Sequence, residues 1–134
     1  MVMQWDPSLS LGVEHLDAQH QEFFRRLQRF LDACKGNQGG AALAEMLGYL
    51  RRYAEEHFAA EELLMREQGF PYLATHQEQH AEFIAKLDRL TAAFEQRGTR
   101  ADTIAEAMDF ASTWLIRHIK SSDLVIARWL RREP

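Results

Sequence analysis

Apolar side chains recur every three or four residues through most of this chain, which is the spacing of one face of an α-helix. No stretch alternates with a period of two over a useful length, so the predicted fold class is all-α. The pattern predicts four long amphipathic helices and a short fifth one, at about residues 18–34, 41–67, 72–96, 100–120 and 123–132. Asp17 is the predicted N-cap of the first helix.

Short connections separate these helices, among them a glycine-rich segment at 35–40 and a Gly-Phe-Pro turn at 69–71. Long helices joined by short loops pack against their sequence neighbours in an up-down-up-down antiparallel four-helix bundle. Residues 1–16 lack a sustained period and are expected to pack on the bundle as an extended arm. The predicted organisation is a single domain, 1–134, made of the N-terminal arm (1–16), the four-helix bundle (17–120) and a short C-terminal helix (121–134).

Five of the six histidines interrupt apolar stripes rather than polar faces. In an up-down bundle, the start of the first and third helices and the end of the second and fourth lie at one end. The histidines at these positions are His20, His57, His76, His80 and His118. Glu61 follows His57 by one helical turn on the same face, whereas Glu62 is out of register and is expected to face solvent, or at most to support a ligand from outside. Buried imidazoles and carboxylates are costly unless they are paired or bind metal, so the pattern predicts a metal site.

Asp123 reaches this layer only under one condition. It follows His118 by five residues, so a regular helix would point it about 140° away. The backbone must therefore change course near Ser121 and Ser122, and we predict a break or loosened turn there.

The predicted donor set suits iron, and also zinc, copper or nickel. If Glu61 and Asp123 each bridge two six-coordinate ions that also share an oxygen, eleven of the twelve ligand positions are filled. One position then stays open for a small ligand such as dioxygen. Oxygen-activating carboxylate bundles use Glu-x-x-His motifs, but Ala54, Leu73 and Leu115 stand three residues before His57, His76 and His118. A histidine-rich site favours reversible binding over substrate oxidation.

The sequence motifs that contain the predicted ligands resemble the hemerythrin family in its single-domain bacterial form, the bacteriohemerythrins. The resemblance covers nearly the whole chain. It is carried by an early Trp5, Asp17-Ala18-Gln19-His20, His57-Phe58-Ala59-Ala60-Glu61-Glu62, His76-Gln77-Glu78-Gln79-His80, Trp114-Leu115-Ile116-Arg117-His118-Ile119 and Asp123.

The resemblance implies two non-heme iron ions (Fe2+/Fe3+) with an oxo or hydroxo bridge. It assigns His76, His80 and His118 to one iron. It assigns His20 and His57 to the other iron, which has the open position, and makes Glu61 and Asp123 bridges. Dioxygen would bind reversibly at the open position, with Trp114 and Leu115 walling the ligand pocket. No catalytic residue is implied.

The leading hypothesis is therefore a non-enzymatic dioxygen-binding protein for storage, delivery or sensing. One alternative is a diiron redox enzyme, such as a peroxidase, an oxidase or a nitric-oxide-handling protein, and side activity of this kind is compatible with the leading hypothesis. Another is a metal-dependent regulatory module, although seven ligands exceed what one tetrahedral zinc needs. An oxygen-consuming enzyme or a signalling protein is the partner these roles would require.

Composition and charge argue against several other classes of protein. A net charge of -4 argues against nonspecific binding to nucleic acid, and no apolar run is long enough for a membrane span. The single cysteine, Cys34, leaves no internal disulfide and fits a reducing compartment. The first residues lack a basic region followed by an apolar run, so we expect no signal peptide and a cytoplasmic location.

Overall fold

The computed structural model describes residues 5–36, 38–98 and 100–131, and within these ranges the chain is helical without a strand. Its α-helices are α1 (Glu14–Lys35), α2 (Gly39–Glu67), α3 (Leu73–Arg97), α4 (Ala101–His118) and α5 (Leu124–Arg131). A 3-10 turn, Pro7–Leu9, precedes α1, and a π-helical turn, Ile119–Asp123, joins α4 to α5. The all-α prediction is confirmed. Among the described residues, no helix is both long and apolar enough to cross a membrane.

Sequence-adjacent helices in the bundle are antiparallel. In each pair, the contacting residue moves back along one helix as it moves forward along the other. The ring pairs that show this are His20–His57 and Phe23–Tyr53 for α1 and α2, Tyr53–Phe83 and Phe58–His80 for α2 and α3, and His76–His118 and Phe83–Phe110 for α3 and α4. Helix α1 also packs against α4, which closes the four-helix bundle.

A core rich in aromatic side chains fills the bundle next to the layer of histidines. Phe83 is fully buried and its ring lies 4.4 Å from that of Trp114 and 5.3 Å from that of Phe58. Burying one large apolar side chain stabilises the fold by roughly 1.5–3 kcal/mol. This packing holds the helices in register where they carry the polar residues.

The start of α1 corrects one prediction. The helix begins at Glu14, four residues before the predicted start, and Val13 occupies the N-cap position. Asp17 therefore lies in the first turn and is not the N-cap. Its carboxylate accepts hydrogen bonds from the backbone N–H of Leu11 and the hydroxyl of Ser10, each 2.7 Å long. The pattern did not locate this start because the acidic first turn is held by the folded-back arm rather than by a cap.

The arm packs where α1 meets the last helix. Leu11 and Leu16 are buried together with Ala127 of α5, and Leu64 of α2 packs against them. Leu9 belongs instead to the main core. The arm thereby connects the end of the bundle that carries the histidines to α5.

The π-helical turn confirms the predicted change of course before the fifth helix. The backbone N–H of Leu124 donates to the carbonyl of Ile119, five residues earlier, where an α-helix would bond four residues back. Because a π-helical turn is wider than an α-helical one, it places two residues that are five positions apart on the same face. Asp123 is consequently fully buried, with Oδ1 2.9 Å from Nε2 of His118.

Candidate metal centre

All seven predicted ligand residues converge in one buried layer at one end of the bundle. Each is at most 4% exposed, and four of them are fully buried. They come from all four long helices and the π-helical turn: His20, His57, Glu61, His76, His80, His118 and Asp123. His15, the sixth histidine, is exposed.

The layer divides into two groups of potential ligands that share one carboxylate. In each group, the ligand atoms lie within 4.8 Å of one another. One group holds Glu61, His76, His80 and His118, and the other holds His20, His57, Glu61 and Asp123. The structure therefore offers two adjacent positions for cations.

The carboxylate of Glu61 faces both groups of histidines. Oε2 lies 2.8 Å from Nε2 of His57. Oε1 contacts Nε2 of His76 and lies 3.4 Å and 3.5 Å from Nε2 of His80 and His118. One oxygen is thus directed to each group.

Asp123, at the end of the π-helical turn, repeats this arrangement. Its Oδ2 lies 2.9 Å from Nε2 of His20. Its Oδ1 lies 2.9 Å from Nε2 of His118 and 3.4 Å from Nε2 of His76. Both carboxylates can therefore join the two groups.

The two buried carboxylates create a strong demand for positive charge. Burial by itself would lower the pKa of an imidazole, but Glu61 and Asp123 outweigh it and raise the pKa of His57, His76 and His118 to about 9. Burial would likewise raise the carboxyl pKa values, yet the surrounding imidazoles hold them well below their usual range. Without a cation, protonated histidines supply the charge, and a metal ion could take their place.

Several inward-facing atoms of the layer lack a well-directed hydrogen bond among the described residues. They include Nε2 of His80, Nε2 of His118, Oε2 of Glu61 and both carboxylate oxygens of Asp123. Buried polar atoms are normally hydrogen-bonded. Imidazole nitrogens and carboxylate oxygens left in this condition fit a transition metal such as iron, so the residues present suit a metal centre.

Two residues outside the predicted ligand set bind the outer nitrogens of the imidazoles. Nδ1 of His57 donates to Oε1 of Gln19 over 2.6 Å, and Nδ1 of His80 donates to Oε2 of Glu62 over 2.8 Å. Such bonds fix the tautomer and leave Nε2 free to face the metal. Gln19 was not predicted, although it precedes His20 directly. Glu62 was expected to face solvent, but its side chain is only 25% exposed, and it has the supporting role that was the most the sequence allowed.

Aromatic rings lie flat against three of the imidazoles. Tyr53 stacks on His57 at 4.7 Å between ring centroids, and Phe58 stacks on His80 at 3.8 Å. The predicted pocket residue Trp114 stacks on His118 at 4.2 Å. The other predicted pocket residue, Leu115, is fully buried in the core. Tyr53 and Phe58 were not predicted at the site, although Tyr53 stands four residues before His57 and so shares its face.

The hydroxyl of Tyr53 is buried without a hydrogen-bond partner among the described residues. Burial, together with the charges of Asp123 and Glu61, raises the pKa of this phenol well above its usual value. Tyr53 therefore stays neutral and presents a largely apolar surface to His57.

The fold and the site together define a helical-bundle protein with a buried cation site rich in histidine. The family model described as "Hemerythrin HHE cation binding domain" matches residues 11–130. The chain therefore belongs to the hemerythrin family.

Named relatives agree with this assignment. The chain is 29% identical to a bacteriohemerythrin of Stenotrophomonas maltophilia over 126 residues, which cover 94% of this chain and 80% of that protein. It is 33% identical to a myohemerythrin of Riftia pachyptila over 120 residues, covering 89% and 86%. It is 30% identical to a bacteriohemerythrin of Pseudomonas aeruginosa over 119 residues, covering 89% and 75%. These similarities extend over most of each chain.

Proposed function

We propose that this protein is a non-heme diiron protein that binds dioxygen reversibly for storage, delivery or sensing. Family membership and the bacteriohemerythrin and myohemerythrin relatives support iron as the metal. The observation that carries the proposal of two irons is the pair of shared carboxylates. Glu61 and Asp123 each direct one oxygen to each group of histidines, as two bridges between neighbouring ions would require.

In this proposal, three histidines hold one iron and two hold the other. The first set is His76, His80 and His118, and the second is His20 and His57. Glu61 and Asp123 would each contribute oxygens to both irons, and an oxo or hydroxo group would complete the centre. The smaller number of histidines at the second position leaves room there for dioxygen. When bound, a ferrous pair would supply electrons to dioxygen and would take them back when dioxygen leaves.

The protein's own side chains would protect this chemistry by keeping water out. Leu115 is fully buried, and Trp114 covers one face of His118. Tyr53 covers one face of His57, at the proposed open position. Excluding water and protons from such a pocket slows loss of partly reduced oxygen and decay of the reduced state. We therefore assign Trp114 and Leu115 to the wall of the ligand pocket.

The test is a visible spectrum of the reduced, desalted protein, recorded through several cycles of air and argon, with iron counted on the same sample. We expect two irons per chain and a colour that appears with air and fades under argon. A His57→Ala variant should lose the reversible colour, whereas His15→Ala, which changes an exposed histidine, should keep it.

Other outcomes would replace the proposal. Two irons with a single irreversible change to a stable oxidised spectrum would favour a diiron redox enzyme or redox sensor. Zinc alone, or no bound metal, would favour a structural or regulatory module.

A further inference from the structure

The two groups of histidines differ in what binds them from outside. In the His20/His57 group, Nδ1 of His57 donates to the neutral amide oxygen of Gln19 over 2.6 Å. In the other group, Nδ1 of His80 donates to the carboxylate of Glu62 over 2.8 Å. Both bonds join Nδ1 to a side-chain oxygen and have similar lengths, but only one acceptor is ionisable.

This difference changes the imidazole as a ligand. A carboxylate accepts the Nδ1 proton more strongly than an amide does, because the hydrogen bond is assisted by charge. Electron density then shifts toward Nε2, which makes the imidazole a stronger metal donor. An amide fixes the same tautomer and ring orientation with a weaker electronic effect.

The surroundings hold each acceptor in place. The second oxygen of Glu62 accepts a 3.0 Å hydrogen bond from Nε2 of Gln77, and the Glu62 side chain is only 25% exposed. Gln19 lines a small pocket of about 150 Å³ between α1 and α2, and the charged side chains that also line it are Arg26, Arg52, Glu22 and Glu56. A carboxylate placed at position 19 would therefore meet side chains of both charges.

We propose that Gln19 and Glu62 are positioning residues that make the two metal positions unequal in affinity. Glu62 makes the position containing His80 the tighter one, and Gln19 leaves the position containing His57 the weaker one. The inference rests on the two metal positions of the proposed function. It concerns their relative affinities rather than iron or dioxygen.

The experiment is a calorimetric titration of the metal-free protein with Co2+, comparing Glu62→Gln and Gln19→Glu with the unaltered chain. We expect two unequal binding steps in the unaltered chain. Glu62→Gln should weaken the tighter step by about 10–100-fold, the usual effect of removing such an outer partner. Gln19→Glu should strengthen the weaker step and reduce the difference in affinity between the two steps. Far-UV circular dichroism verifies that each variant is folded.

Two matched variants control for charge alone. Glu55→Gln removes one negative charge from an exposed position of α2, and Gln21→Glu adds one to α1. In both variants, the binding constants of the two steps should stay within threefold of those of the unaltered chain.

A second readout separates positioning from general destabilisation. In the Zn2+-loaded protein, the Nδ1–H resonance of His80 should move in Glu62→Gln while that of His57 stays. In Gln19→Glu, the Nδ1–H resonance of His57 should move while that of His80 stays. Equal effects of both variants on both histidines would overturn the proposal. So would a single binding step, or binding constants that stay within threefold in both variants.

Failure of this inference can be told apart from failure of the proposed function. Two unequal Co2+ steps that respond as expected, in a protein whose colour does not cycle with air and argon, would contradict reversible dioxygen binding alone. Reversible dioxygen binding with unresponsive Co2+ steps would contradict only the roles of Gln19 and Glu62.

Discussion

At the scale of single residues, the carboxylates do more than the histidines to define this site. Each imidazole presents one Nε2 atom to the layer, whereas Glu61 and Asp123 each present two oxygens to two different groups. Because both carboxylates are fully buried, they also create the demand for cations.

Replacing either carboxylate tests this role directly. We expect Glu61→Ala and Asp123→Ala each to hold fewer than two metal ions per chain, because each removes a ligand from both positions. Elemental analysis after desalting gives the stoichiometry. Glu55→Ala is the control, since it removes an exposed carboxylate from the same helix. Full metal loading in both site variants would refute their assignment as bridges.

Asp17 has a structural role away from the metal ligands. Its carboxylate holds the arm through Ser10 and the backbone of Leu11. Asp17→Ala should lower the free energy of unfolding by about 1.5–3 kcal/mol, because hydrogen bonds to a charged group are lost. Urea denaturation of the metal-free protein measures this. Asp32→Ala, on the same helix, should change stability less because its partner Gln28 is a surface neighbour. A loss below about 0.5 kcal/mol for Asp17→Ala would show that the arm is held by apolar packing instead.

At the scale of secondary-structure elements, the π-helical turn decides whether Asp123 joins the site. Bonding over five residues places Asp123 over His118, so the spacing in the sequence and the widened turn match each other. The fully buried Ile119 begins this turn.

The length of this segment provides a second test. Deleting the exposed Lys120 would make Asp123 the fourth residue after His118, which an ordinary α-helix also places on the same face. We expect this variant to keep two metal ions. Inserting one alanine after Lys120 should turn Asp123 away by about 100° and lower the stoichiometry. Lys120→Ala controls for loss of the side chain. Equal metal content in the deletion and insertion variants would mean that Asp123 does not need this register.

At the scale of the whole molecule, the site joins all four long helices of the bundle. Its residues come from α1, α2, α3, α4 and the π-helical turn, and the arm packs on α5 just beyond. A ligand that binds only the folded state stabilises it by mass action. Metal bound here would therefore add a link among four helices that also meet through the core and through ion pairs such as Arg51–Asp88.

Removing the metal should lower the Tm accordingly. At a metal concentration about a thousand times Kd, the expected stabilisation is about 4 kcal/mol. Thermal unfolding followed by circular dichroism, with and without a chelator, measures the difference. The chelator should lower the Tm of the Glu61→Ala variant much less, because that variant binds less metal. An equal shift in both proteins would mean that the chelator acts elsewhere.

The helices and the layer of histidines could be predicted from sequence because both depend on local periodicity. The apolar stripes place His20, His57, His76, His80 and His118 on core-facing positions, and antiparallel packing then brings them to one level. The five-residue interval to Asp123 likewise predicts the loosened turn. These inferences need only helical geometry and the direction of each helix.

The partners of the imidazoles depend instead on how neighbouring helices are rotated against each other. Gln19 meets His57 across 38 residues of sequence, and Glu62 meets His80 across 18. Rotamers and helix rotation set such contacts, and neither follows from the spacing of apolar positions. The start of α1 was missed for a related reason, since the arm folds back on Asp17. The sequence by itself thus determined which residues gather in the core. Tertiary structure decided how their outer nitrogens are bound and how each carboxylate is shared, because those are contacts between elements.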